Sequence, residues 1–515
     1  MTESLWAEEC DVLVVGSGGG ALVGAYVAGH EGLAVTVVEA TDKFGGTTAY
    51  SGGGMWLPCN AVLRRAGDDD TMEAARSYFR AVVGDRTPRE LQDAFLDNGA
   101  PLIDYLERDE HFAFEVLPWP DYFGLAPESR AGGRHIVPLG MRGSTLGDLR
   151  DELRPPLPTE RRGHPLPRWV SGGQALIGRL LLALSEQPST TLYRNSVCDE
   201  LVLENGAVVG AVVVRDGKRT KIRARRGVLI ASGGFENNAE MRKRWGVPGD
   251  TKDSMGPGGN MGAAISAAIT IGADTDLMGE AWWSPGITHP DGTSTFSLWF
   301  TGGIFVNDAG ERFTNESMAY DRIGRDIIDA VNDGSLSMPY WMIYDDREGE
   351  VPPVQASNVP MAESADYVHT GLRHTADTLE ELAALIGVPG PALEATVERF
   401  NKQAEIGTDE DFHRGEEAYD KAFVPEGGSA LVPISQGPFH AAAFGLSDLG
   451  TKGGLRTDPH ARVLDPEGSP IPGLYAAGNS MAAVSGTTYP GGGNPVAASV
   501  VFGYLAALDM AGGKD

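Results

Sequence analysis

Gly16, Gly18 and Ala21 stand in the run Val15-Gly-Ser17-Gly-Gly-Gly20-Ala21, a G-x-G-x-x-A pattern. It follows an apolar run, Asp11–Val15, and precedes a stretch of helical pattern, Gly19–Gly29. Gly16 permits a tight turn. Gly18 lets backbone amides reach a pyrophosphate at the helix N-terminus, where the peptide dipoles favour an anion. Glu39 closes a second β-branched run, Ala34–Glu39, twenty-three residues after Gly16. A carboxylate there takes ribose hydroxyls and disfavours a 2′-phosphate, which argues against NADP. A second loop, Lys43-Phe-Gly-Gly46-Thr47-Thr48-Ala-Tyr50-Ser51-Gly52-Gly53-Gly54, follows closely. A simple NAD domain has no use for it, whereas flavoproteins lay such a loop along the ribityl chain and flavin edge. Two later runs repeat the strand-then-glycine design: Gly227-Val-Leu-Ile-Ala231-Ser-Gly233-Gly234-Phe235 and Gly473-Leu-Tyr-Ala-Ala-Gly478-Asn479. Four glycine-bearing turns after buried strands point to FAD rather than NAD.

These turns need a parallel sheet behind them. The opening strand, helix and strand form a βαβ unit. Helical patterns follow at Thr71–Val83, Pro88–Arg108 and Gln174–Glu186. Arg154–His164, rich in Pro and Arg, reads as an exposed loop. Asp199–Leu203 and Ala207–Arg215 flank Asn205-Gly206, a strong hairpin signal. Near residue 280 the character changes. Trp282, Trp283, Phe296, Trp299, Phe300, Phe305, Phe313 and Tyr320 crowd into forty residues, and polar helices follow at Ile323–Asn332 and Leu379–Asn401. From about 450 glycine-rich strands return, and the chain ends in an uncharged helix, Val496–Leu508. The reading is an α/β protein: a discontinuous Rossmann-type FAD-binding domain, 1–280 and 451–515, split by an inserted α+β catalytic domain, 281–450. The length of 515 residues accommodates both.

Composition narrows the function classes. Lys and Arg number 42 against 71 Asp and Glu, a net charge of -29. That argues against nucleic acid and anionic membrane surfaces, both of which need clustered cations. Gly468–Leu508 carries no Asp, Glu, Lys, Arg or His. Its helical part spans thirteen residues, short of the ~20 that cross a bilayer, so no transmembrane segment is expected. Cys10, Cys59 and Cys198 have no metal-ligand spacing and read as free thiols in a reducing compartment. The opening residues, acidic and without an apolar signal core, lead to the expectation of a cytoplasmic protein. No carboxylate or metal-ligand spacing accompanies His289 and His440, which read as ordinary core or surface histidines.

Taken in order, the glycine turns resemble the flavoprotein family of fumarate reductases and 3-ketosteroid dehydrogenases. Further motifs resemble the actinobacterial 3-ketosteroid Δ1-dehydrogenase branch: Trp119-Pro-Asp-Tyr122-Phe, Trp299-Phe-Thr-Gly-Gly-Ile-Phe305, Arg312-Phe-Thr-Asn-Glu-Ser317 with Tyr320, Gly445-Leu-Ser-Asp-Leu-Gly-Thr451, and Gly486-Thr-Thr-Tyr489-Pro-Gly-Gly-Gly493. The resemblance covers essentially the whole chain. It implies non-covalently bound FAD, a 3-oxosteroid substrate, 1,2-desaturation of ring A, and an external electron acceptor such as a quinone. It assigns Tyr320 as the base, Tyr122 as its hydrogen-bonding partner, and the Tyr489 hydroxyl with the Gly493 amide as donors to the C3 oxygen. It carries the cofactor contacts to Gly16, Ser17, Gly18, Gly20, Ala21, Glu39, Ala40, Gly46, Thr47, Thr48, Ser51, Gly52, Gly53, Val197, Ala231, Gly233, Gly234, Gly478, Asn479, Asn494, Pro495 and Val496. The first N–H groups of the last helix would face the flavin pyrimidine, with Asn494 as an ordinary cap. Competing activities are desaturation of the C4–C5 bond of 3-oxo-5α-steroids and a fumarate-reductase-like reaction. The latter wants Arg and His clamps, where these motifs offer tyrosines and tryptophans. A non-catalytic flavin carrier would need an exposed flavin and no apolar pocket.

Overall fold

The computed structural model describes residues 6–356, 359–424 and 427–512; the first five residues of the acidic opening segment lie outside these. Five strands run parallel in the order Pro470–Ala476, Lys218–Ile230, Glu8–Val15, Val35–Val38, Thr190–Tyr193. Val12–Val15 and Val35–Val38 are buried on both faces, as parallel strands covered by helices must be. The first part of Lys218–Ile230, while still beside Glu8–Cys10, also pairs antiparallel with Ala207–Arg215, which in turn pairs with Ser196–Glu204 in the same sheet. Asn205 and Gly206 make the hairpin turn, with φ of 53° and 81°, as a turn with two left-handed residues requires.

A second, antiparallel sheet has seven strands: Ile304–Val306, Tyr340–Asp345, Phe439–Thr451, Ala281–Thr288, Ser294–Leu298 and Gln355–Ala356 along its path, with Arg373–Ala376 on Phe439–Thr451. All its strands come from residues 281–451. The Tyr320–Asn332 helix lies against Ala281–Thr288.

Helix Gly19–His30 is buried over ten of its twelve residues and packs on the C-terminal helix Asn494–Met510. The contact is backbone on backbone. A Cβ on Gly20 would stand 2.4 Å from the Ser499 carbonyl oxygen, and one on Gly503 2.1 Å from that of Gly20. Gly20 therefore serves helix packing.

The structure corrects two sequence expectations. Arg154–His164 is exposed only over 160–164 and is not all loop: Leu157–Arg162 is helical, and Arg154 is buried, donating to Thr41 Oγ1 at 2.6 Å and to Glu160 at 2.8 Å. Local composition hid a long-range network. Leu379–Asn401 is not one helix but two, Leu379–Ile386 and Gly390–Ile406. Gly387 ends the first in the left-handed region at φ 78° and Pro389 caps the second, an ordinary glycine stop and proline start. Among the described residues no helix is long and apolar enough to cross a membrane.

Candidate active site

The parallel strands Glu8–Val15, Val35–Val38, Lys218–Ile230 and Pro470–Ala476 end at or just before Gly16, Glu39, Ala231 and Gly478, and all four residues line one cavity of about 640 Å³. It sits where doubly wound sheets bind ligands, beyond the carboxyl ends of their strands. Ser17, Gly18, Ala40, Gly46, Thr47, Thr48, Ser51, Gly52, Gly53, Val197, Gly233, Asn479, Pro495 and Val496 also line it. Gly20, Ala21, Gly234 and Asn494 do not. Gly20 turns into the helix contact, Ala21 is fully buried, and a Cβ on Gly234 would meet Thr451 Oγ1 at 2.0 Å.

Asn494 is not the cap of the last helix. Gly493 holds that place at φ 78°, and both amide atoms of Asn494 are buried without a hydrogen bond. Its side chain borders a small adjoining cavity of about 20 Å³.

The nucleotide end suits FAD on three observations. Thr48 Oγ1 and Ser499 Oγ accept from the amides of Gly19 and Gly20, while among the described residues the amides of Ser17, Gly18, Gly46 and Thr47 have no partner. A Cβ on Gly18 would meet nothing closer than 3.7 Å, and one on Gly52 nothing within 4 Å, so backbone is left open to a ligand. Glu39 is buried and held in place: Ser17 Oγ donates to one oxygen at 2.6 Å, and the Thr41 amide and hydroxyl donate to the other at 2.8 Å. Glu39→Ala is expected to weaken FAD retention. Losing a hydrogen bond to a charged group costs about 1.5–3 kcal/mol, roughly tenfold or more in affinity. Flavin absorbance retained after dialysis measures it, and a fully yellow variant would refute the role.

The opposite end is aromatic. Tyr122, Tyr320 and Tyr489 come from three distant segments, yet their ring centroids lie 5.1–5.6 Å apart. Main chain sets this convergence. The Tyr122 amide donates to the Pro490 carbonyl at 3.0 Å, and Arg322, on the helix that Tyr320 begins, donates to the Tyr122 carbonyl at 3.0 Å. Phe296 stands edge-on to Tyr320 at 4.8 Å and Trp282 edge-on to Tyr489 at 5.1 Å. These residues, with Leu298, Trp299 and Gly493, line the cavity. Of the aromatic stretch, Trp282, Phe296 and Trp299 thus form walls, while Trp283, Phe300 and Phe305 belong to the core.

Burial pushes all three tyrosines above the ordinary phenol range. For Tyr489 the Tyr320 hydroxyl and the Gly493 amide work the other way, as donors close to the phenol oxygen. Gly493 is held there because a Cβ would stand 2.1 Å from the Gly54 carbonyl oxygen. The Tyr122 hydroxyl is near enough to influence Tyr320, but no hydrogen bond of normal geometry satisfies it.

Among the lining residues that sequence reasoning missed are two of basic type. Arg154 borders the cavity near the nucleotide end through Thr41. His135 also lines it, with burial driving its imidazole down to about 4, so it is neutral. No local pattern marks either. His289 is a core histidine, bonded to Thr295 at 2.7 Å and Tyr367 at 2.9 Å, and His440 is bonded to Thr375 and Asp346.

The family model for an FAD binding domain matches residues 11–496. A 3-oxosteroid 1-dehydrogenase of Mycobacterium tuberculosis is 38% identical, with 98% of each chain covered. One from Rhodococcus opacus is 39% identical, covering 98% of this chain and 99% of its own. The crystal structure of 3-ketosteroid delta1-dehydrogenase from Sterolibacterium denitrificans, in complex with 1,4-androstadiene-3,17-dione, superposes with a TM-score of 0.89 at 31% identity, over 99% of this chain and 100% of that one. A glycine-lined nucleotide cleft, an aromatic end without a carboxylate and these full-length similarities lead to one conclusion: the chain belongs to the FAD-binding flavoprotein family of the 3-oxosteroid 1-dehydrogenases and is an FAD-dependent oxidoreductase.

Proposed function

We propose that the protein desaturates the C1–C2 bond of 3-oxosteroids. The observation that carries this reading is the trio Tyr122, Tyr320 and Tyr489 in an apolar chamber continuous with the nucleotide cleft. A ring ketone acidifies its α-hydrogens, because removing one gives an enolate. The residues needed are a donor to the carbonyl oxygen and a base over C2. The Tyr489 hydroxyl and the Gly493 amide supply the donors, an oxyanion hole of one side chain and one backbone group. Tyr320 is the base. It opens a thirteen-residue helix, Tyr320–Asn332, whose N-terminal dipole favours negative charge there. Tyr122, its hydroxyl unpartnered, donates a hydrogen bond to the Tyr320 phenolate when substrate excludes water. Trp282, Phe296, Leu298 and Trp299 hold the apolar rings. Bound FAD supplies the hydride acceptor for C1. Its reoxidation falls to an external acceptor such as a quinone.

The lining argues against a dicarboxylate substrate. Its ionisable residues of basic type are Arg154, already committed to Glu160 and Thr41, and the neutral His135. No carboxylate clamp remains.

Anaerobic mixing with a 3-oxosteroid tests the reading. Flavin absorbance is expected to bleach stoichiometrically, and the product to carry a new double bond at C1–C2. A product unsaturated at C4–C5, or no bleaching, would overturn it.

A further inference from the structure

Lys452 is fully buried, directly after the Phe439–Thr451 strand and behind the tyrosines. It does not line the cavity. Its ammonium donates to the carbonyl of Thr488, the residue before Tyr489, at 3.1 Å. It also lies 4.1 Å from the centroid of Trp282, whose ring abuts Tyr489. Its nearest carboxylate oxygen is Asp321 Oδ1, at 3.9 Å. Asp321 follows Tyr320 in the chain and is itself buried. Its Oδ1 has no hydrogen bond, and its Oδ2 takes only a long one, 3.4 Å from Arg325 Nε. Arg325 is otherwise committed to Glu280 at 3.0 Å. Behind the site, then, stand two cations and two carboxylates: Lys452 and Arg325, Asp321 and Glu280.

This arrangement is costly for stability, since buried ion pairs rarely repay their desolvation. It makes sense for the site. The Asp321 charge opposes negative charge on Tyr489, and Tyr489 is where the substrate oxygen becomes anionic. A lone carboxylate there would raise the barrier. A lone ammonium would hold its proton less firmly: burial draws Lys452 down to about 8, with Asp321 pulling it back up.

We propose that Lys452 is a positioning residue for the desaturation: it cancels the Asp321 carboxylate that acts on Tyr489 and, through Thr488 and Trp282, fixes Tyr489 against the substrate oxygen. The proposal rests on the role given above to Tyr489.

Lys452→Met is expected to lower kcat about 30-fold with KM little changed. The rising limb of the pH profile should move to higher pH, because losing Lys452 leaves Asp321 and Glu280 with Arg325 as their one cation, a net negative charge behind the tyrosines. Adding Asp321→Asn leaves Arg325 and Glu280 as a balanced pair. The double variant should recover to within about threefold of wild type, with the pH limb restored. A purely packing role predicts no recovery, and failure to recover overturns the proposal, as does a single variant within about threefold of wild type. If the single variant does not fold, the double variant is compared directly with wild type, and a loss of a hundredfold or more overturns it. A second measurement needs no turnover. The ionised fraction of bound 2-naphthol, read by absorbance at fixed pH, should fall in Lys452→Met and return in the double variant. If wild type fails to bleach with steroid, the substrate reading falls, while the naphthol titration still decides the role of Lys452.

Discussion

Tyr489→Phe is expected to lower the rate of flavin reduction by a 3-oxosteroid roughly 10²–10³-fold while leaving steroid binding nearly intact. The change removes one hydroxyl and keeps the ring that Tyr122, Trp282 and Tyr320 pack against at 5.1–5.6 Å. The apolar contacts that hold the substrate survive. The lost donor acts where charge appears in the transition state, and one such donor in a water-excluded site is worth about 3–4 kcal/mol. The Gly493 amide remains, so catalysis persists at the reduced level. Single-turnover stopped-flow traces separate the two quantities: amplitude against steroid concentration gives binding, and the limiting rate gives chemistry. A limiting rate within tenfold of wild type would take Tyr489 out of the oxyanion role.

The reach of the sequence differs between the two ends of the site. Gly16, Gly18 and Glu39 were legible because the nucleotide cleft is built from short-range pieces. A turn, a helix start and a strand end lie within thirty residues, and each residue type answers a local demand. The hairpin at Asn205-Gly206 was legible for the same reason. At the aromatic end nothing local distinguishes Tyr122, Tyr320 or Tyr489 from packing residues, and their selection rested on resemblance in the flanking motifs. Arg154 shows the limit most clearly. Its neighbours are Pro and Arg, which read as solvent-exposed chain, yet it is buried by partners more than a hundred residues away, such as Thr41. His135 and Lys452 are comparable. Each owes its importance to what the folded chain brings against it, and a single sequence records no such contacts. Gly20 and Ala21 err in the opposite direction. They complete the nucleotide fingerprint, but neither lines the cavity, and Gly20 lies at the contact between the first and last helices.

Tyr320→Phe should be the most damaging single change, abolishing both turnover and exchange of the C2 hydrogen with solvent. General-base catalysis contributes about 10²–10⁴-fold. Beyond the tyrosines and Cys198, the ionisable groups lining the cavity are Glu39 and Arg154 at the nucleotide end and His135, whose pKa of about 4 makes it a weak base. Burial keeps Tyr320 protonated at neutral pH. Its ionised fraction therefore grows about tenfold per pH unit below its pKa, and kcat/KM of wild type should rise with pH through neutrality. The Tyr320→Phe change would erase that limb along with the activity. Tyr320 comes from the 281–451 segment and the cofactor cleft from the parallel sheet, so the substrate is expected to lie between them. Proton and hydride then leave opposite faces of ring A. Stereospecifically deuterated steroid reports this directly, with label lost to solvent from one face of C2 and carried to the flavin from the other face of C1. A Tyr320→Phe enzyme that keeps more than a tenth of wild-type turnover, or loss of both hydrogens from the same face, would remove Tyr320 as the base and require another group to approach C2 from the cofactor side.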